Sequence, residues 1–324
     1  MSDQYSTDDS RIDLLSAADD AFHPPTDHPW FFESSWWSFY VPERNLGAWI
    51  YHWVRPNQST QGGGCWLYDD TTYSHLEVPY YACYANMPAD DALDLRDITF
   101  PSGLSMATVE PLQQYRLRFA DRELIAFDLD FDATMAPWVG AHGHFDQMMH
   151  VTGELVLHGE SIVVDSIAMR NRSWSPRPER WKDGHIGYCS AGTDDVAFLV
   201  NSAAGIRGET TDRVRAGFYL RDGRRAALVD GTRVLERDAE HGYLRKITVE
   251  AEDASGRRFV ARGEGLSRMA MPIPGVHGVC WTTLVHWTID GVDAWGDDQD
   301  AWPLHGWAAF RRGQRASRQT EARR

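Results

Sequence analysis

Lysine is almost absent from this chain of 324 residues, since only Lys182 and Lys246 occur and arginine supplies nearly all of the positive charge. The formal net charge is −15. Nucleic acids and anionic membranes are bound through basic patches, which an acidic surface lacks. The composition therefore argues against both as partners. The oligomeric state is left open, and a homodimer is compatible with the sequence.

Long apolar runs and a secretory signal are also missing. No apolar stretch approaches the roughly 18 residues that a membrane-spanning helix needs. The segment "MSDQYSTDDSRIDLLSAADD" is acidic where a signal peptide would be basic and then apolar. We therefore expect no stable membrane insertion and a cytoplasmic location.

Cysteine is sparse, and Cys65, Cys83, Cys189 and Cys280 are scattered without a CxxC pair. Neither a zinc ribbon nor a disulfide framework fits this spacing. The four cysteines are predicted to be small buried apolar residues, and no cofactor is predicted.

Helical periodicity is hard to find beyond residue 20, whereas short alternating segments bounded by turn residues recur about every ten positions. In "QQYRLRFADRELIAFDLDFD" the apolar residues alternate with Arg116 and Arg118, then with Asp128, Asp130 and Asp132. This pattern predicts a hairpin with a charged outer face rather than catalytic aspartates. Further hairpins are predicted at "HVTGELVLHGESIVVDSIAMR", "RAGFYLRDGRRAALVD" and "LRKITVEAEDASGRRFVARGE".

So many antiparallel strands predict an all-β fold of closed barrels or sandwiches, and the length suggests two units. A seam is expected in "SWSPRPERWKDGH", which is rich in proline and charge. We expect a disordered or helical N-terminal segment over residues 1–20, a first lobe over 21–178 and a second lobe over 179–310. Residues 311–324 carry six arginines and one glutamate and are predicted to be a disordered basic tail.

Tryptophan is abundant, and five of the fourteen lie in "WFFESSWWSFYVPERNLGAWIYHWV". If this segment forms two paired strands, its rings build an aromatic wall, to which "CWLYDD" adds Trp66 and Tyr68. The wall is either a packed core or the lining of a cavity for a large apolar ligand. Indole faces attract cations, so the second alternative also suits a carbocation.

Polar groups near the wall are candidates for proton transfer. Glu33 stands beside the aromatic strand, as a proton donor or as a paired glutamate. The stretch "HGHFDQMMH" allows a metal site of His142, His144 and His150, an ordered polar loop, or an acid–base pair of His144 with Asp146. In the last case, an arginine from "RNRSWSPR" could hold Asp146.

Two of these motifs resemble a known family. "ESSWW" is similar to a Glu-Trp-Trp-Tyr signature of lipocalin-like proteins related to carotenoid 1,2-hydratase (hydroxyneurosporene synthase) and to the AttH-like group, although two serines are inserted here. "HFDQMMHVTGEL" followed by "AMRNRSWSPR" resembles a motif pair of bacterial relatives. The resemblance covers residues 22–177 and implies two packed lipocalin-like barrels with a hydrophobic pocket. It also implies enzymes that act on alkenes of isoprenoid or polyketide-like molecules by hydration, by cyclisation, or by holding the substrate for a pericyclic step.

The leading hypothesis is an enzyme, a hydratase or a cyclase, that protonates a hydrophobic isoprenoid or polycyclic alkene and guides the carbocation to water or to ring closure. The alternatives are a non-catalytic carrier of a lipid or aromatic metabolite, a pericyclic cyclase without a proton donor, and a metal-dependent enzyme. The predicted catalytic residues are Glu33, His144 and Asp146. The predicted substrate-binding residues are Trp36, Trp37, Trp49, Tyr51, Trp53, Trp66, Trp138, Arg170, Arg172 and Trp174.

Overall fold

The computed structural model describes residues 15–89, 94–141, 143–177, 184–204, 210–273 and 277–321. The chain divides into two compact units. The first unit comprises Met1–Asp69 and Val78–Arg177, and the second comprises Asp70–Glu77 and Pro178–Arg324. In the described ranges, none of the helices combines the length and the apolar composition needed to cross a membrane.

The first unit is one antiparallel sheet of eleven strands, in the order β4-β3-β2-β1-β11-β10-β8-β7-β6-β5, with β9 paired to β10. Its strands are β1 (Phe31–Val41), β2 (Leu46–Arg55), β3 (Thr60–Tyr68), β4 (Tyr80–Pro88), β5 (Asp97–Thr99), β6 (Ser105–Glu110), β7 (Gln114–Asp121), β8 (Ile125–Ala133), β9 (Trp138–Ala141), β10 (His144–Leu157) and β11 (Glu160–Pro176).

This sheet is curled, since aromatic rings on strands that are not neighbours contact one another across it. The ring of Trp37 on β1 lies 5.0 Å from the rings of both Tyr115 and Phe131, edge to face. We call the side that carries these rings the inner face. The curl needs glycine at Gly153, where φ is +144° and an added Cβ would meet the Asp128 carbonyl oxygen at 2.2 Å.

The hairpin of β7 and β8 carries its charges outward as predicted. Arg116 Nε donates to Asp130 Oδ1 at 2.6 Å, and Arg118 Nε donates to Asp128 Oδ2 at 2.9 Å. The apolar residues between them are buried. These aspartates are cross-strand partners of arginines on a solvated face.

The second unit contains a closed barrel of eight antiparallel strands. With the curled sheet of the first unit, it confirms the predicted all-β class of two lipocalin-like lobes. The strands are β12 (His185–Gly192), β13 (Val196–Ala204), β14 (Thr211–Arg221), β15 (Arg224–Arg237), β16 (Leu244–Asp253), β17 (Arg258–Pro272), β18 (Gly278–Ile289) and β19 (Val292–Pro303). Part of the barrel interior is an apolar cluster that includes Phe198, Phe259 and Trp287.

A helix, α1 (Leu304–Glu321), follows the last strand. The prediction of a disordered tail from residue 311 is therefore wrong as far as residue 321. The helix forms because two aromatic residues, which precede the arginine-rich stretch and lie about one helical turn apart, pack against the barrel. Trp307 and Phe310 pack on Trp302, with centroids 5.6 and 5.2 Å away, and this contact anchors the helix to the barrel.

Two smaller expectations need adjustment. The N-terminal segment forms a short 3₁₀ helix at Ala17–Asp20, which Ser16 caps, and the preceding residues 1–14 lie outside the described ranges. Cys65, Cys189 and Cys280 are buried as predicted, but Cys83 is exposed because it lies on β4, the last strand in the sheet order.

Candidate functional site

Six of the aromatic residues predicted to bind substrate share one face of the sheet, the side opposite the inner face, together with Asp146. Direct partners in an antiparallel sheet point to the same side, and side chains alternate along each strand. We call this side the aromatic face. The partners that define it are Trp66 with Trp49, Tyr51 with Trp36, Trp36 with Asn171, Asn171 with Asp146, and Asp146 with Trp138; Trp53 lies on it by alternation from Tyr51.

The indoles of this face touch one another in a row. The centroids of Trp36 and Trp49 are 5.3 Å apart, and those of Trp49 and Trp66 are 6.0 Å apart. Trp53 stacks on Phe32 at 5.8 Å. All these side chains are buried. Most of the predicted wall therefore exists as a single surface.

His144 and Asp146 lie on the same face at the start of β10, two strands away from Trp36. The Nε2 atom of His144 lies 3.0 Å from Oδ2 of Asp146. Asp146 is fully buried, whereas the His144 side chain is 24% exposed. A buried carboxylate can orient an imidazole and stabilise its positive charge, while partial exposure lets the ring exchange protons with water.

Glu33 points to the inner face, away from His144 and Asp146. Its carboxylate accepts from Arg172 Nη2 at 2.7 Å and from the His23 backbone N–H at 2.7 Å. The ring of His23 lies 3.2 Å away and stacks on Trp174 with centroids 4.0 Å apart. The structure therefore separates Glu33 from the other two predicted catalytic residues, and Trp174 lies with Glu33.

Arg170 also lies on the inner face, in a cluster that the sequence did not reveal. Its Nη2 atom donates to Asp20 Oδ1 at 2.9 Å, and Tyr115 donates to Asp20 Oδ2 at 2.8 Å. The guanidinium lies 4.0 Å from the Tyr115 ring centroid and 4.9 Å from that of Trp37. Burial raises the pKa of the Tyr115 hydroxyl, which keeps it a hydrogen-bond donor.

These contacts correct two expectations. Arg170 pairs with Asp20 and Arg172 with Glu33, so the prediction that either meets Asp146 is wrong. The cause is strand alternation, because both arginines flank Asn171, the direct partner of Asp146, and point the opposite way. Trp37 is likewise separated from Trp36, because adjacent residues on β1 point to opposite faces of the sheet.

A small cavity lies on the inner face. A cavity of about 10 Å3 lies beside Trp37 and Arg170, which is room for about one water. His52 is also buried on this side, stacked on Phe100 with centroids 3.6 Å apart. The arginines of the inner face are neutralised by Asp20 and Glu33, and a large apolar ligand does not fit into this cavity.

The second unit has its own buried charges, which sequence reasoning also missed. Arg233 pairs with Asp212 and with Asp298, the latter at 2.6 Å. Asp300 lies 2.6 Å from His185 Nε2 and 2.6 Å from Arg237 Nη1. Burial would raise the pKa of Asp300, but the charges of Arg237 and His185 outweigh it and hold this pKa well below its usual value.

Of the three histidines in the metal alternative, His142 lies outside the described ranges. His150 Nε2 is 2.7 Å from Asp165, and His144 is paired with Asp146. Across the part of the chain that the structure describes, no group of three or more His, Cys, Asp or Glu side chains could hold a metal ion.

Three solved structures are similar to this chain. A Nitrosomonas europaea protein assigned as AttH superposes with a TM-score of 0.55 at 16% identity, over 85% of this chain and 92% of that one. Kievitone hydratase from Nectria haematococca gives 0.54 at 10% identity, over 92% and 95%. CghA, also solved with Sch210972, gives 0.50 at 10% identity, over 84% and 88%.

At these identities the similarity shows the fold, and it confirms the resemblance to the AttH-like group at that level. No curated protein matches this sequence significantly. A family model does match, and it spans residues 16–303, which include both faces of the first unit and the barrel of the second. The chain belongs to the DUF7064 family, described as a domain of unknown function.

Proposed function

We propose that this protein is an enzyme of the hydratase or cyclase kind that binds a hydrophobic alkene on the aromatic face and transfers a proton through His144. The observation that carries the proposal is the 3.0 Å contact between His144 and the fully buried Asp146, on the same face as a row of indoles. Kievitone hydratase has the same fold, and its name supports the reaction class.

The row of indoles accounts for the substrate. Trp36, Trp49 and Trp66 form one row of adjoining rings, and the proposal places an apolar molecule against this row. Their faces carry partial negative charge and stabilise a cation that forms next to them. A leucine surface of the same area would bind the molecule without this electrostatic stabilisation.

The His144–Asp146 pair accounts for the chemistry. Protonated His144 donates its proton to one alkene carbon, the π electrons form the new C–H bond, and the neighbouring carbon is left as a cation. In a hydration, water adds to that carbon and returns a proton to His144. In a cyclisation, a second double bond attacks the cation, and His144 accepts the proton that is then lost. Asp146 orients the imidazole in both cases.

Glu33, Trp37, Arg170, Arg172 and Trp174 take no direct part in this proposal. Their contacts are with one another and with the N-terminal segment on the inner face. We assign them to holding the sheet in its curled form.

The test is turnover of kievitone and of farnesol, an isoprenoid alkene, in D2O, followed by mass spectrometry. We expect the parental protein to place one deuterium on carbon, in a product heavier by one water or in an isomer. His144→Gln and Asp146→Asn should lower the rate at least about 100-fold, the contribution of a positioned proton donor.

Asp165→Asn is the matched control, because Asp165 also pairs with a histidine of β10 but is 71% exposed. It should leave the rate unchanged. Parental rates in the His144 and Asp146 variants would contradict the acid–base assignment and favour a pericyclic reaction. Binding of both molecules without any product in the parental protein would favour a carrier.

A further inference from the structure

Three hydrogen-bond donors on the aromatic face have no acceptor. The indole N–H groups of Trp49, Trp53 and Trp66 are buried, and within the described ranges none of them donates a hydrogen bond. The three side chains are between 1% and 7% exposed, so bulk water does not serve as their partner. Buried donors of this kind are rare and call for an explanation.

Two polar neighbours on the same face, Ser38 and Asp146, are engaged with other groups. The Ser38 hydroxyl donates to the Met169 carbonyl at 2.9 Å, and Asp146 is engaged by His144. The aromatic face thus presents three indole donors without an acceptor among the described residues. The ligand that complements it is apolar in its ring surface and carries oxygen atoms that accept hydrogen bonds.

The backbone is shaped to hold these rings. Gly62 is the direct partner of Trp53, and an added Cβ there would lie 2.3 Å from the Trp53 ring. The glycine thus lets the indole lie flat over β3. The N–H of Trp53 is consequently held by a packed ring and is not free to turn towards another acceptor.

The donors also fall into two zones. Trp49 and Trp66 are direct cross-strand partners, roughly 5 Å apart at Cβ. Trp53 lies four residues along β2 from Trp49, which corresponds to about 13 Å. A ligand that accepts hydrogen bonds in both zones needs acceptor oxygens at separate edges of its ring skeleton.

We propose that the ligand of the aromatic face is an oxygenated ring compound whose carbonyl, ether or hydroxyl oxygens accept hydrogen bonds from these three indoles. This inference rests on the proposed binding site, but it does not depend on turnover. A plain hydrocarbon of the same shape would leave the three donors unpaired and would bind less well.

The test uses 9-fluorenone and fluorene, which share one ring skeleton and differ by a carbonyl oxygen. Equilibrium dialysis gives the ratio of their dissociation constants for the parental protein and for Trp49→Phe, Trp53→Phe and Trp66→Phe. Loss of ring volume affects both compounds, whereas loss of the N–H affects only the ketone. We expect the parental protein to prefer fluorenone about fivefold, and at least one variant to lose this preference.

Trp37→Phe is the matched control, because its indole N–H is also buried without an acceptor but lies on the inner face. It should keep the parental preference. An equal affinity for the two compounds in the parental protein, an unchanged preference in all three variants, or failure of both compounds to bind would overturn the inference. Turnover in D2O is a separate measurement, so the two proposals can fail independently.

Discussion

At the scale of single residues, His52 shows what burial does to a titratable group. It is fully buried, its Nε2 atom lies 3.3 Å from Gln61 Oε1, and its ring stacks on Phe100. Burial lowers the pKa of His52 from the usual 6.5 to about 3, although the hydrogen bond to Gln61 opposes the change. The imidazole is therefore neutral in the folded protein at ordinary pH.

A pH dependence of stability follows from this residue. Below pH 6.5 the unfolded chain takes up a proton at His52, but the folded chain does not until the pH approaches 3. Stability from this source is constant above 6.5 and falls across that window as the pH drops, by about 2 kcal/mol at pH 5. His52→Gln should remove this part of the loss, measured by urea unfolding at pH 7 and pH 5.

His286→Gln is the control for that experiment, because the His286 side chain is 40% exposed. It should retain the parental loss between the two pH values. An equal loss in the parental protein and in His52→Gln would show that His52 is protonated in the folded state.

At the scale of elements, α1 depends on two rings. Trp307 and Phe310 lie one turn apart and pack on Trp302, which is itself fully buried. The arginine-rich sequence beyond them has no comparable apolar stripe, and an isolated helix of this length is marginal in water. The packing of the first two turns therefore decides whether the whole helix forms.

The double variant Trp307→Ala and Phe310→Ala should destabilise the second unit by about 3 kcal/mol, because it removes two large partly buried side chains. Circular dichroism should show the loss of helix, and thermal unfolding should show a lower Tm. His305→Ala lies on the exposed side of the same helix and should change stability by less than about 0.5 kcal/mol. Helix content that survives the double variant would contradict this account.

At the scale of the whole molecule, the excess of carboxylates controls solubility. The net charge is −15 at pH 7, and the isoelectric point is about 5.2. Repulsion between molecules disappears near that pH, so light scattering should be greatest close to pH 5.2 and should fall on either side. The maximum should stay in place in His52→Gln, since one neutral side chain barely changes the total charge. A maximum that moves with His52 would point to unfolding instead.

Much of the fold could be predicted from the sequence, because alternation of apolar and charged residues is a local signal. It located the hairpin of Arg116 and Asp130 and those of β10 with β11, β14 with β15 and β16 with β17. It also brought His144 and Asp146 together, since residues two apart on a strand share a face.

The partners of distant charges could not be predicted in the same way. Arg170 finds Asp20 across 150 positions, and Arg172 finds Glu33 across 139 positions. Such pairs depend on how the sheet curls and on which strands are neighbours, and no local pattern encodes either. Trp37 differs from these cases, because alternation along β1 is a local pattern that already separates it from Trp36.

The ionic cluster around Arg233 affects whether the barrel of the second unit can hold an apolar ligand. A closed eight-stranded barrel can enclose a small ligand. Here, one part of the interior holds Arg233 in ion pairs with Asp212 and with Asp298. A hydrocarbon bound there would separate these charged side chains without hydrating them. Leaving buried charges unpaired has a large free-energy cost. This ionic part of the barrel interior is therefore unfavourable for an apolar molecule.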